Sequence, residues 1–227
     1  METLLVLAGG LLLRLLMFVL LFTLFATPIV LAIYLTQGAL LLRRRVTGTV
    51  DAGGARWKPG LTYTAAHAWV KRLWGRNVRV GLDDVARRIL SGASSITLAP
   101  VGTRVRRGEL CAEVRCGDRR VVIPSPVEGI VLERNRALSN EPSLFEREPY
   151  GDGWMLRIEV EGPPPDETHR GADSRRWLRD ESLRLTRFFE TKLGMAAADG
   201  GTLTHPAPAL LEDEAWREAV RTFLRAA

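Results

Sequence analysis

Two cysteines and three histidines are the classical chemical groups in this 227-residue chain. Cys111 and Cys116 lie five residues apart with no histidine close in sequence, which is neither a zinc pattern nor a disulfide framework. Cys116 stands in RCGDRR, and if exposed its neighbours Arg115, Arg119 and Arg120 would lower the thiol pKa. The simpler reading is an inert residue in a hairpin. His67 has no metal-ligand partner nearby and reads as packed or hydrogen-bonded, whereas His169 and His205 sit in polar, Pro-flanked segments and read as solvent-exposed. Asp83 and Asp84 could do acid–base work, but they precede DVARRIL and are explained more simply as helix caps. There is no Walker loop, dinucleotide fingerprint or triad-like arrangement. These residues therefore suggest no catalytic site, no metal site and no cofactor, and the chain reads as something other than an enzyme.

Charge points to surfaces rather than to chemistry. The net charge is +6, and of 32 basic residues only Lys58, Lys71 and Lys192 are lysines. Such an excess suits nucleic acid, an anionic membrane or simply a solvated surface. A single-strand binder interleaves aromatics for stacking. Around Arg87, Arg88, Arg104, Arg106 and Arg107 only Trp69 and Trp74 could serve, so nucleic acid is not favoured. No small-molecule substrate is expected either.

The elements that must position these residues fall into five segments: 1–45, 46–60, 61–160, 161–174 and 175–227. Residues 15–42 form an uncharged apolar run, longer than the about 20 residues that span a bilayer, with Pro28 predicting a kink. Arg14 bounds it on one side and Arg43, Arg44 and Arg45 on the other. The run is too long for a signal peptide and reads as a transmembrane anchor. The arginine asymmetry places the remainder on the cytoplasmic side of a bacterial-type inner membrane, single-pass, with Arg43, Arg44 and Arg45 at the lipid headgroups.

Residues 46–60 are Gly-rich and read as a linker or a short entering strand. Between 61 and 160, strand signals recur at 78–80, 94–98, 110–114, 120–123, 129–133 and 154–160. In the last, Trp154, Leu156, Ile158 and Val160 share one face. A helix is predicted at DVARRIL. LCAEVRC and RRVVI flank Gly117-Asp118, which suits a two-residue type II′ turn, with Leu110, Ala112 and Val114 inward and Cys111, Glu113 and Arg115 outward. EGPPPDETHRGADS, 161–174, reads as a linker. Two helical patterns follow, at 175–193 and 210–226, carrying Trp177, Phe188, Phe189 and Trp216.

Five pieces of the central region together resemble the H protein of the glycine cleavage system. They are YTAAHAWV (63–70), VRVGLDDVARRIL (78–90), LAPVGTRVRRGE (98–109), PSPVEGIVLERN (124–135) and EPYGDGWMLRIEV (148–160), in the family's order. In the first, Ala68 stands where an acidic residue is usual. The resemblance implies a mainly β, lipoyl-domain-like barrel-sandwich hybrid, here with one N-terminal transmembrane helix and a C-terminal helical extension. It also implies a hairpin tip bearing a lysine that is lipoylated, with an acidic residue three positions earlier. Counted back from Ser125-Pro126, those positions fall on Asp118 and Arg115, and no lysine lies between 72 and 191. A carboxylate has no amine to form the lipoyl amide, and a guanidinium is a poor substitute.

The expectation is therefore a non-lipoylated, non-catalytic accessory or scaffold subunit docking on a membrane-associated protein complex. Candidate docking residues are Arg115, Cys116, Asp118, Arg119, Arg120, Trp177, Phe188, Phe189 and Trp216, although the C-terminal helices could equally cover the domain's own sheet. The alternative is a carrier of acyl or aminomethyl groups with an unconventional attachment site, for which only the three lysines offer amines.

Overall fold

The computed structural model describes residues 10–11, 13–29, 48–163, 167–194 and 207–225. The chain forms two compact units, Met1–Gly48 and Thr49–Ala227. In the first, helix α1 covers 13–29, and its apolar side chains, Leu13 to Ile29, are exposed. Thr23 and Thr27 return their hydroxyls to carbonyls one turn earlier, so their polar groups are satisfied within the helix. The rest of the apolar run, 30–42, and Arg43, Arg44 and Arg45 lie outside the described residues. Among the described residues no helix is long and apolar enough to cross a membrane.

The second unit is built on period-two strands. Its elements are β1 (Val50–Asp51), β2 (Arg56–Trp57), β3 (Thr62–Thr64), β4 (Ala68–Arg72), β5 (Asn77–Leu82), α2 (Asp84–Ile89), β6 (Ser95–Leu98), β7 (Arg104–Val105), β8 (Leu110–Cys116) and β9 (Arg119–Pro124). There follow β10 (Gly129–Arg134), α3 (Arg136–Asn140), α4 (Ser143–Arg147), β11 (Leu156–Val160), β12 (Thr168–Arg170), α5 (Gly171–Leu193), α6 (Ala207–Leu210) and α7 (Asp213–Ala219). A wider π-type turn, Val220–Leu224, continues α7.

Strands β12-β3-β4-β5-β11-β10-β7 form an antiparallel seven-stranded sheet, β6-β8-β9 a three-stranded one, and β1-β2 a short ribbon. Val80, Leu82, Val131, Leu156 and Ile158 of the large sheet share one core with Ile96, Leu98, Val114, Val121 and Ile123 of the small one. This is a mainly β, barrel-sandwich arrangement. Gly129, paired with both β11 and β7, sits where a Cβ would fall 2.0 Å from the Glu159 carbonyl oxygen, so the strand crossing there requires glycine.

Two sequence expectations change, and one alternative left open is decided. First, Leu110 is 48% exposed and Cys111 only 1%, the reverse of simple alternation. The cause is a register shift between Leu110 and Ala112, a β-bulge that turns the start of β8 over. Second, the supposed linker 161–174 contains β12, which pairs with β3 at the edge of the large sheet, and α5 already begins at Gly171. Third, the C-terminal helices belong to the same core as the sandwich. Leu178, Leu185, Phe189, Leu211, Trp216, Phe223 and Leu224 are all at most 3% exposed and join one continuous cluster with the strands.

Candidate functional site

The β8–β9 turn keeps the shape the sequence implies. Gly117 has φ +63° and Asp118 has no positive φ, as a type II′ turn demands. Cys116 pairs with Arg119 across it, and Gly117 and Asp118 are exposed. Asp118 makes no hydrogen bond or ion pair among the described residues.

Every cation around that tip is engaged. On the outer face, Glu113 accepts from Arg115 at 3.1 Å and from Arg120 at 2.6 Å. The hydrogen bond from Arg115 is the main cause holding the Glu113 carboxyl below its usual range, with Arg120 assisting. Arg119 leans the other way, onto the C-terminal segment. Its Nε donates to Asp213 Oδ1 at 2.8 Å, Nη1 to the Pro208 carbonyl at 2.8 Å and Nη2 to the Leu211 carbonyl. The guanidinium also lies 5.3 Å from the Trp216 ring centroid, a cation–π distance. Trp216 in turn donates its Nε1 to the Ile89 carbonyl at 3.3 Å. One arginine beside the tip thus staples the hairpin to α6 and α7.

Cys116 is not activated by its arginines. Its Sγ faces the Leu90 carbonyl at 3.5 Å, and burial, aided by Glu146, pushes the thiol up to about 11, with Arg119 only partly opposing. Burial pushes Cys111 up to about 12. Both thiols are inert at neutral pH.

A second polar cluster sits deep under α5. His67, with φ +56° and 1% exposed, places Nδ1 2.8 Å from Asp83 Oδ2 and Nε2 3.5 Å from Glu181 Oε2. The other oxygen of Asp83 caps α2, accepting from the Val85 and Ala86 amides. Burial opposes the charge on His67, but the Asp83 and Glu181 carboxylates outweigh it and raise the imidazole to about 9. Asp84 instead binds Arg56 and Arg87, at 2.8 and 2.7 Å, and these guanidinium bonds outweigh burial to hold its carboxyl low. The Trp177 ring stacks on both His67 (5.0 Å) and His169 (4.5 Å). This carboxylate–imidazole–carboxylate row, buried at His67 and Asp83 and partly exposed at Glu181, joins α5 to the sandwich. Among the described residues no group of His, Cys, Asp and Glu could hold a metal ion.

Of the residues singled out for docking, Arg115, Asp118 and Arg120 are exposed, while Cys116, Arg119, Trp177 and Phe188 are partly covered. Phe189 and Trp216, at 1% and 3% exposure, are consumed by the chain's own interior and present no free surface. The three lysines are also placed. Lys58 Nζ donates to the Tyr150 carbonyl at 2.9 Å, and burial, with Lys71 nearby, lowers its pKa. Lys71 is exposed on β4, and Lys192 pairs with Glu218 at 2.5 Å. None lies on the β8–β9 turn. Glu181 and Asp213 carry no sequence signal as partners, because each acts on a residue 94 or more positions away.

Residues 61–174, half of the chain, match the family Glycine cleavage H-protein. The chain belongs to this family. The glycine cleavage system H protein of Mycobacterium tuberculosis H37Ra is 38% identical over 101 residues, 44% of this chain and 75% of that protein. That of Coprothermobacter proteolyticus is 37% identical over 101 residues, 44% of this chain and 80% of the relative. The crystal structure of a glycine cleavage system H protein from Mycobacterium marinum is 28% identical, with a TM-score of 0.47, covering 54% of this chain and 98% of that one. The family match ends at residue 174, so α6, α7 and almost all of α5 lie beyond it.

Proposed function

We propose that this chain is a non-lipoylated, membrane-tethered member of the H-protein family that acts as an accessory or scaffold subunit. It docks on a protein complex at the cytoplasmic face of a bacterial-type inner membrane. The observation that carries the reading is at the β8–β9 tip. Asp118 occupies the exposed turn position where the family resemblance puts the lipoyl lysine, and it has no amine. The next residue, Arg119, is tied to α6 and α7. A swinging-arm carrier needs a reactive tip with free approach, and this tip has lost the amine and gained a strut.

The apolar run 15–42 supplies the tether, Arg43, Arg44 and Arg45 meet the lipid headgroups, and their charge sets the domain on the cytoplasmic side. Tethering raises the domain's effective concentration for membrane partners. The exposed Arg115, Asp118 and Arg120 are the tip residues left for a partner to read.

The test combines two measurements on the full chain, gently extracted in detergent from cells with active lipoylation. Intact mass is expected to equal the unmodified chain, and native mass is expected to exceed that of a monomer. A lipoyl adduct would overturn the first claim and a free monomer the second. The second reading, a carrier with an unconventional attachment site, is favoured by the curated relatives' name and by the lowered pKa of the Lys58 amine. An adduct mapped to Lys58, Lys71 or Lys192 would establish it.

A further inference from the structure

A pocket of about 310 Å³ opens at the end of the sandwich away from the β8–β9 tip. Its inner wall is Val70, Val78, Val127 and Val160, and its mouth carries Arg72, Arg76 and Arg170 with Glu161. Val127 follows β9, whose six residues extend about 20 Å from the tip, so the two regions are separate. The volume is at the lower end of the range for small-molecule sites, about 300–1,000 Å³.

Three arginines at the mouth face Glu161, and the Glu128 carboxylate stands beside Gly162 in the lining. Glu161 is already paired with Arg104 at 2.7 Å, and Arg76 reaches Glu159 only at 3.4 Å. The guanidinium groups of Arg72 and Arg170 have no ion pair or hydrogen bond among the described residues. Beside the mouth, in the four-residue β4–β5 turn, Trp74 is 90% exposed, the most exposed of the large hydrophobic side chains among the described residues. Gly75, with φ +65°, lets the turn close and lines the pocket together with Arg76.

We propose that this turn and the arginine-rimmed pocket form a contact surface for an anionic phospholipid bilayer, with Trp74 in the interface and Arg72 and Arg170 on headgroup phosphates. Tryptophan has an apolar body and a polar N–H, and it is favoured at the headgroup level of membranes. Arginine forks match phosphate oxygens, and each cation near an anionic surface adds to attraction. A protruding aromatic turn flanked by arginines suits a deformable, flat, anionic surface. The valine-walled pocket behind it takes a headgroup or the first part of a chain. The inference rests on the tethered reading only in needing a bilayer within reach.

The test uses the full chain with vesicles of brominated phosphatidylglycerol mixed with brominated phosphatidylcholine, or of brominated phosphatidylcholine alone. The Trp74 signal is the fluorescence of the wild type minus that of Trp74→Phe. It is expected to lose at least about half its intensity in anionic vesicles and much less in zwitterionic ones. In the double variant Arg72→Glu/Arg170→Glu, the anionic value is expected to fall to the zwitterionic one. An unquenched Trp74 in anionic vesicles, the result expected if an acidic protein is the occupant, overturns the proposal. Equal quenching in both lipids overturns the role of the arginines. Failure of the chain to float with zwitterionic vesicles would defeat the anchor instead, and quenching by added anionic vesicles would still decide the surface.

Discussion

Two hairpin turns in this domain have met opposite fates. The β8–β9 turn has its flanking charges paired, its thiol partly covered and its neighbour Arg119 fastened to helices that lie outside the family match. The β4–β5 turn has a bare Trp74 and, near it, two arginines without partners among the described residues. The contrast teaches that the C-terminal helices stabilise the end of the fold where the resemblance places chemistry.

The comparison breaks most readily at Trp216. Trp216→Ala removes a buried ring, a hydrogen bond to Ile89 and the platform under Arg119, and should cost about 3–5 kcal/mol. Denaturant unfolding would measure the loss. Amide exchange should speed up at 116–120 and stay unchanged at 73–77; equal acceleration at both turns would contradict the strut.

Raising the pH tests the same attachment at α5. The folded pKa of His67, about 9, is above its unfolded value of 6.5, so its contribution is full below about 6.5 and is lost as pH rises through 9. The shift corresponds to about 3 kcal/mol. Tyr63 and Tyr150 are both raised by burial, so neither phenol contributes in the interval from pH 6 to 9. Urea midpoints across it should decline in the wild type and somewhat less in Glu181→Gln, where Asp83 still holds the imidazolium.

Cys116 sharpens the contrast in reactivity. With its thiol near 11 against an ordinary 9.0, alkylation at pH 7.5 should run about 100-fold slower than for a free cysteine. A rate near that of the model thiol would mean the tip opens readily. The smallest effect belongs to Asp118→Lys. The side chain is exposed and unpartnered, so stability should move by less than about 0.5 kcal/mol in thermal unfolding.

Much of the strand framework was legible because its alternation is local. The II′ turn followed from Gly117, and the cap from Asp83. Leu110 misled because a bulge leaves no mark in an apolar alternation. β12 was hidden by the neighbouring prolines, although Thr168 is β-branched and His169 had an aromatic partner in Trp177. Asp83 was read as a cap but not as a ligand of His67, since its second oxygen acts across the fold. The apolar stripes of the C-terminal helices announced burial without saying against what. Only their contacts with Ile89, Arg119 and His67 answer that.

The hydrogen bond from Trp216 to Ile89 spans 127 positions of chain. During synthesis, the sandwich therefore cannot close its interior until residues 213–224 have emerged, well after residues 15–42 have left the ribosome. Such distant pairing makes folding slow. The nascent β-region would wait, half-built, beside whatever surface its leading end had already reached.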